Sequence, residues 1–425
     1  MMEKLRQIWK ARDLRLSILF VLAMLFIYRL AAHMPIPGVN AAALQRFFAG
    51  NQVFGMLNLL SGGGMQNFSI VMMGVAPFIT SSIIFQLLGM IVPQLEEMNK
   101  EEAGRQKINM WSRWLTVPLA MIQSFSMITL IRRSSGDILP NFSGMDIFAA
   151  VLTITAGTIF VMWLGELITE KKVGNGISLM IFAGIVAGIP TALGNLLQAS
   201  NMDGTFLLTA ISFAAVAVLT VVGVVIINEG QRNIPVQYAR QIRGNRTFGG
   251  ASSHLPLRVN MAGVMPIIFA VSIVMFPQMI AQFFTKAKSA WLSGAADWLI
   301  RMLNDGWVYG ILYFVLVFAF AYFYTEVIFH PKQIAENLQK QGGFIPGIRP
   351  GRHTADYLYS TANKVIFSGA LSLAILAVMP MVVKGFTGIS ALKLGGTGIL
   401  IVVSVVIETV KQVEAQLSMR EYDIM

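Results

Sequence analysis

Residues Phe47 to Leu95 read FFAGNQVFGMLNLLSGGGMQNFSIVMMGVAPFITSSIIFQLLGMIVPQL and contain no charged side chain. A helix needs about 20 apolar residues to cross a bilayer. This stretch is far longer, but Gly62, Gly63 and Gly64 stand in a row inside it, followed by Gln66 and Asn67. Consecutive glycines break a helix, and bare backbone is very costly in lipid. The expectation is one full span over Phe68 to Val92, preceded by a short piece, Phe54 to Leu60, that does not cross. Such a piece is tolerable at membrane depth only inside protein or beside water. The stretch therefore implies a membrane protein with an internal cavity and something small folded into it.

Composition agrees. The 425 residues are 55% hydrophobic and only 12% charged, with a mean hydropathy of +0.66. Soluble domains carry about 25% charged residues. These figures describe a polytopic helical membrane protein. Its net charge of +11 reads as basic residues gathered on the cytoplasmic side rather than as a nucleic-acid site. There is no cysteine, which removes disulfide and thiol chemistry. The basic N-terminus precedes an apolar run, Leu16 to Met34, that is long enough to span and lacks a small-residue cleavage site.

Working outward, charged clusters delimit ten spans. They are Leu16 to Met34, Phe68 to Val92, Trp114 to Ile131 and Ile147 to Gly165, then one each within 173–202, 204–228 and 259–285, then Gly306 to Thr325, Val365 to Val383, and Leu394 to about Val410, where Glu408 truncates the last. Arg29, near one end of the first span, has the reach to snorkel. Ten spans put both termini on one side. The N-terminus, residues 93–113, 166–172, 229–258 and 326–364, and the C-terminal tail then hold 23 of the 32 Lys and Arg. That excess places them in the cytoplasm.

Two of these cytoplasmic segments are too long to be mere connectors. In Glu229 to Arg258, Ile234, Val236 and Tyr238 alternate with polar neighbours, which predicts an extended hairpin with Gly244-Asn245 at its tip. In Glu326 to Lys364, Pro331 starts a helix that Gly342-Gly343 stops. FIPGIRPG then makes a rigid turn, and Thr354 caps a second short helix. Arg240, Arg243 and Arg246 project from one segment, Arg349 and Arg352 from the other. Topology alone needs charge but not ordered structure, whereas Pro346, Gly347, Pro350 and Gly351 hold Arg349 in a defined place.

Catalytic chemistry is missing. No P-loop and no His-Glu-x-x-His occurs, and His33, His254, His330 and His353 fall in loops or at span ends. Arg29, Glu166, Glu326 and Glu408 lie toward span ends, so the midplane acids of an ion-coupled transporter are lacking. What the spans do carry is Ile and Val beside small residues: Val75 and Ile79, Ile181 and Ile185, Ile268, Ile401. The first two pairs are spaced i, i+4 and each shares a helix face. Taken alone, such residues face lipid or core far more often than a pore. If the faces meet, they form an apolar collar of the kind that closes a pore by dewetting.

Four segments carry a family resemblance: GNGISLMIFAGIVAGIP (174–190), HLPLRVNMAGVMPIIFA (254–270), FIPGIRPGRHT (344–354) and GGTGILIVV (395–403). They resemble the SecY family, central subunits of the bacterial protein-conducting channel, and the likeness runs through the whole chain in order. The resemblance implies an all-α polytopic membrane protein of ten helices. Two pseudo-symmetric five-helix halves, 1–202 and 203–425, would surround an hourglass pore. It implies a pore ring at Val75, Ile79, Ile181, Ile185, Ile268 and Ile401. It implies a re-entrant plug helix of Phe54, Gly55, Met56, Leu57, Asn58, Leu59, Leu60 and Ser61, with Gly62, Gly63 and Gly64 as its hinge. Spans two and three against seven and eight would form a lateral gate releasing membrane helices into lipid.

The same resemblance implies that the long cytoplasmic loops dock the SecA ATPase or the ribosome through Arg240, Arg243, Arg246, Arg349 and Arg352, with Arg349 tied most closely to the motor. SecE and SecG would be small membrane partners, and signal-sequence-bearing polypeptides and membrane lipids the other contacts. No nucleic acid is expected beyond ribosomal RNA, and no cofactor, metal or catalytic residue. The place is the bacterial cytoplasmic membrane. The alternative reading is a ten-helix secondary solute transporter; an intramembrane protease fails for want of a placed nucleophile and base.

Overall fold

The computed structural model describes residues 9–40, 43–44, 58, 61–134, 138–139, 142–203, 206–238, 241–243, 246–248, 252–285, 289–387 and 392–424. Much of the expected plug (Phe54 to Leu57, Leu59 and Leu60), with Arg240, Gly244 and Asn245, lies outside them. The helices are α1 (Arg12–Ala32), α2 (Ala76–Ile91), α3 (Pro93–Lys100), α4 (Glu102–Ser134), α5 (Gly144–Glu170), α6 (Gly176–Asp203), α7 (Phe206–Glu229), α8 (Met265–Phe284), α9 (Ala290–Asn304), α10 (Gly306–Ile328), α11 (Pro331–Lys340), α12 (Arg352–Thr387) and α13 (Leu392–Ile424). The strands are β1 (Gln231–Tyr238), β2 (Gln241–Arg243), β3 (Arg246–Phe248), β4 (Ser252–Arg258) and β5 (Gly343–Phe344). Among the described residues, five helices are long and apolar enough to cross a bilayer, or six if α2 and α3, bent by 109°, count as one span. The bend falls at Pro93, the first residue of α3, which has no N–H to continue the ladder of α2.

Contacts divide the chain into two compact units. The first comprises Met1–Ala210, Ser272–Asp305 and Val405–Met425, the second Ile211–Val271 and Gly306–Ser404. In the first unit, the expected span from Phe68 is corrected: α2 begins only at Ala76, and residues 61–75 form consecutive turns interrupted by a bridge at Ser69. Phe68 and Gly74 adopt positive φ (46° and 52°), so no helix can run through them. The backbone finds other partners, as burial demands. Ser69 bridges Pro35, Ile36 N–H donates to Phe68 O (2.9 Å), and Ile70 N–H donates to Met34 O (3.0 Å). The turns thus pair with the chain leaving α1.

In the second unit, β4, β1 and β5 make an antiparallel sheet. The expected hairpin is present: Gln231 pairs with Arg258 and Gln237 with Ser252, while β2 and β3 pair nearer its tip. Alternation places Ile234 and Val236 on the buried face. Pro331 opens α11 as expected, and Gly342 follows it at φ +71°.

Two helix ends differ from expectation. Thr354 does not cap a separate short helix. It lies in the first turn of α12, which continues for 36 residues through the expected ninth span. Likewise α13 runs on past Glu408 to Ile424. Charge marks where an apolar surface stops, but a helix leaving the bilayer keeps its own backbone hydrogen bonds and has no reason to stop with it.

Candidate functional site

The six ring positions are all buried. In the first unit, Val75 is the N-cap of α2, and Ile79 N–H donates to its carbonyl (3.0 Å). The pair therefore shares one face over the first turn. Just beyond it, Ser81 Oγ donates to Ser112 O (2.6 Å), and Ser82 Oγ lies 3.3 Å from Ser112 Oγ. These bonds tie α2 to α4. Ile181 and Ile185 sit on α6, one turn apart, Ile181 with 0% exposure. The start of α6 is pressed onto α5: a Cβ at Gly176 would lie 1.8 Å from Gly165 O. Gly176 N–H also donates to Thr169 Oγ1 (2.9 Å). Only a hydrogen fits there, so the helix carrying Ile181 is seated by direct backbone contact.

In the second unit, a polar clamp holds the elements that carry Ile268 and Ile401. Asn260 Nδ2 donates to Asn228 Oδ1 (2.7 Å) and to Gly263 O (3.2 Å), and Asn260 Oδ1 accepts from Gly263 N–H (3.1 Å). Asn228 Nδ2 in turn donates to Ser404 Oγ (3.3 Å). Ser404 stands three residues after Ile401 on α13, and Gly263 just before α8. Phe269, next to Ile268, packs edge-on against Phe320 and Tyr324 of α10 (6.3 and 5.9 Å between ring centres). Sequence reasoning missed this clamp, because Asn228, Asn260 and Ser404 are far apart in the chain and none is unusual by itself.

Of the expected plug residues, Asn58, Ser61, Gly62, Gly63 and Gly64 are described. Gly63 N–H donates to Asn58 O (2.7 Å), and Gln66 N–H donates to Asn58 Oδ1 (2.9 Å). The tract of three glycines is therefore held in a compact hydrogen-bonded turn. Arg29 does not merely reach for water: its Nη1 donates to Gly62 O. Near the other expected span ends, Arg113 pairs with Glu166 between α4 and α5.

Of the expected docking residues, Arg349 and Arg352 rest on a built surface. Gln237 and Tyr238 of β1 pair with Phe344 and Gly343, which joins the two long loops in one sheet. Ile234, Val236 and Leu257 from the hairpin pack with Ala335 and Leu338 of α11 and with Ile345, Ala355 and Leu358. Arg349 is exposed, but its backbone is fixed. Thr354 Oγ1 donates to Arg349 O (2.9 Å), Ile348 N–H donates to Ile345 O (3.0 Å), and turns at Gly347 and Gly351 flank it. Arg352 is exposed at the start of α12, and Arg243 is paired in register with Arg246 across β2 and β3. The two-residue strand β5 left no periodicity to find. Sequence reading also passed over α9, whose Ala296 and Leu303 are buried while Trp291 and Trp298 are exposed; their shared seven-residue spacing was the available signal.

The architecture defines a class. It matches the solved structure of a protein-conducting channel with a TM-score of 0.67 at 17% identity, over 93% of this chain and 91% of that one. It also matches Sec61 in the canine ribosome-channel complex from the endoplasmic reticulum, with a TM-score of 0.64 at 15% identity, over 93% and 91%. At such identities the likeness shows the fold alone, that of a multi-pass helical membrane protein. The sequence is more specific. The SecY family profile matches residues 69–410. The protein translocase subunit SecY of Corynebacterium glutamicum is 43% identical over 450 residues, covering 99% of each chain. This chain belongs to the SecY family, whose members form translocation channels and are not enzymes. The solute-transporter alternative is not favoured.

Proposed function

We propose that the chain is the conduit through which unfolded secretory polypeptides cross the bacterial cytoplasmic membrane, and from which transmembrane segments pass sideways into lipid. Val75, Ile79, Ile181, Ile185, Ile268 and Ile401 act as the pore ring. The observation that carries the reading is the burial of all six branched apolar residues in a chain whose family forms such channels. A branched apolar ring closes around any passing sequence without hydrogen-bonding it, and it excludes ions by dewetting when empty. A polar ring would bind some chains and stall them.

On this reading residues 54–64 form the plug, the halves 1–202 and 203–425 are related by pseudo-symmetry, and the ten spans leave both termini in the cytoplasm. The chain has no nucleotide motif, so the work comes from a partner. The sheet-and-helix platform presents Arg349 and Arg352 to the SecA ATPase or the ribosome, and the resemblance assigns the same docking role to Arg240, Arg243 and Arg246. SecE and SecG complete the assembly in the membrane. Arg suits this task because its planar fork engages carboxylate or phosphate at two points.

The test is crosslinking of an arrested secretory chain. With no native cysteine, single probes at Ile79→Cys and Ile185→Cys report without background. Both should capture the arrested chain, and a probe at exposed Phe148 should not. Capture at Phe148 alone would refute the conduit.

A further inference from the structure

Two adjacent side chains at the end of α1 hold two adjacent carbonyls at the end of the expected plug. Tyr28 Oη donates to Ser61 O (3.0 Å), and Arg29 Nη1 donates to Gly62 O. Tyr28 is buried, with 2% exposure. Gly62 has φ +67°, and a Cβ there would stand 2.4 Å from Tyr28 Oη and 3.2 Å from Gly184 Cα on α6. Only glycine lets the chain lie in this slot, directly beside the residue preceding Ile185. The hold continues downstream, where Asn67 Nδ2 donates to Ala32 O (3.3 Å). Arg29 turns inward, part-buried, rather than out to water; a cation drawn away from water needs a partner, and a charge-assisted bond to a carbonyl supplies one.

We propose that Tyr28 and Arg29 are positioning residues forming a latch: they fix the C-terminal end of segment 54–64 against α1, and their release sets the threshold for opening. The functional consequence rests on the plug reading above, whereas the latch itself rests on these contacts. The latch assigns Tyr28 and Arg29 a role distinct from the ring. The ring closes the path, and the latch decides how readily the segment beside it leaves.

The probe is Met65→Cys, because Met65 is buried with 1% exposure and the chain has no other thiol. The full chain in lipid vesicles is treated with a water-soluble maleimide while ion leak is recorded. Tyr28→Phe removes only the hydroxyl and should speed labelling about fivefold, the worth of one ordinary hydrogen bond. Arg29→Met removes a charge-assisted bond and should speed it roughly tenfold or more. Arg29→Lys, which keeps a charged donor, should restore most of the protection.

A thiol at Ile154→Cys, buried in α5, must stay protected throughout. A parallel rise there would mean general loosening and would overturn the latch, as would labelling within twofold of the parent in both Tyr28→Phe and Arg29→Met. Faster labelling with unchanged leak would leave the latch standing and refute the plug reading instead.

Discussion

Gly176→Ala perturbs the seating of the helix that carries Ile181 and Ile185. The new methyl group would lie 1.8 Å from Gly165 O, while an ordinary Cβ contact begins at about 3.4 Å. The start of α6 must therefore move away from α5 by more than 1 Å, and the Thr169 hydroxyl, 2.9 Å from the Gly176 amide, is pushed as well. Overpacking of this kind costs about 1–3 kcal/mol. Because Ile181 follows five residues later on the same helix, the displacement is carried into the proposed ring. Gly144→Ala in α5 is the matched control: nothing lies within 4 Å of its Cβ, and Ala exceeds Gly in helix propensity by up to about 1 kcal/mol.

The assay is thermal unfolding of the purified protein together with resting ion leak in vesicles. Gly176→Ala should lower the melting point and raise the leak, and Gly144→Ala should do neither. If Gly176→Ala melts and leaks like the parent, direct backbone contact does not seat α6 and the reasoning is wrong.

Ile185→Asn places an amide in the proposed collar; on that proposal it should wet the ring, raise resting leak and relax signal-sequence stringency, measured by export of a reporter with a defective signal. Arg349→Glu reverses one exposed charge on a fixed turn; motor-driven export should be lost while the protein still inserts and assembles, checked by in vitro translocation and co-purification. Asn260→Ala deletes three hydrogen bonds, at about 1 kcal/mol each; it should destabilise the protein by about 3 kcal/mol in denaturant unfolding, and Asn260→Asp should retain part of that stability through the bond from Gly263 N–H.

The polytopic class was legible because bilayer thickness imposes a run length that any chain must satisfy. The hairpin of β1 and β4 was legible too, since Ile234 and Val236 alternate with polar neighbours and one face is buried. The functional residues were less so. An Ile pair at i, i+4 reads the same in a lipid-facing helix, a core or a pore, and only the resemblance to a family points to the pore.

Helix ends and long-range partners were settled only in three dimensions. Charge at Glu408 ended the apolar surface but not α13, and Phe68 lay in an apolar run yet turned with a positive φ because the chain leaving α1 supplied its partner. Strand β5 exists because β1, about a hundred residues earlier in the chain, offers it an edge. The slot at Gly62 exists because Tyr28 and Gly184 arrive there from two other helices. Periodicity and composition are local properties and register a residue's own preference for lipid, water or helix. A hydrogen bond or a close backbone approach needs a second group, and which group arrives depends on how the whole chain packs.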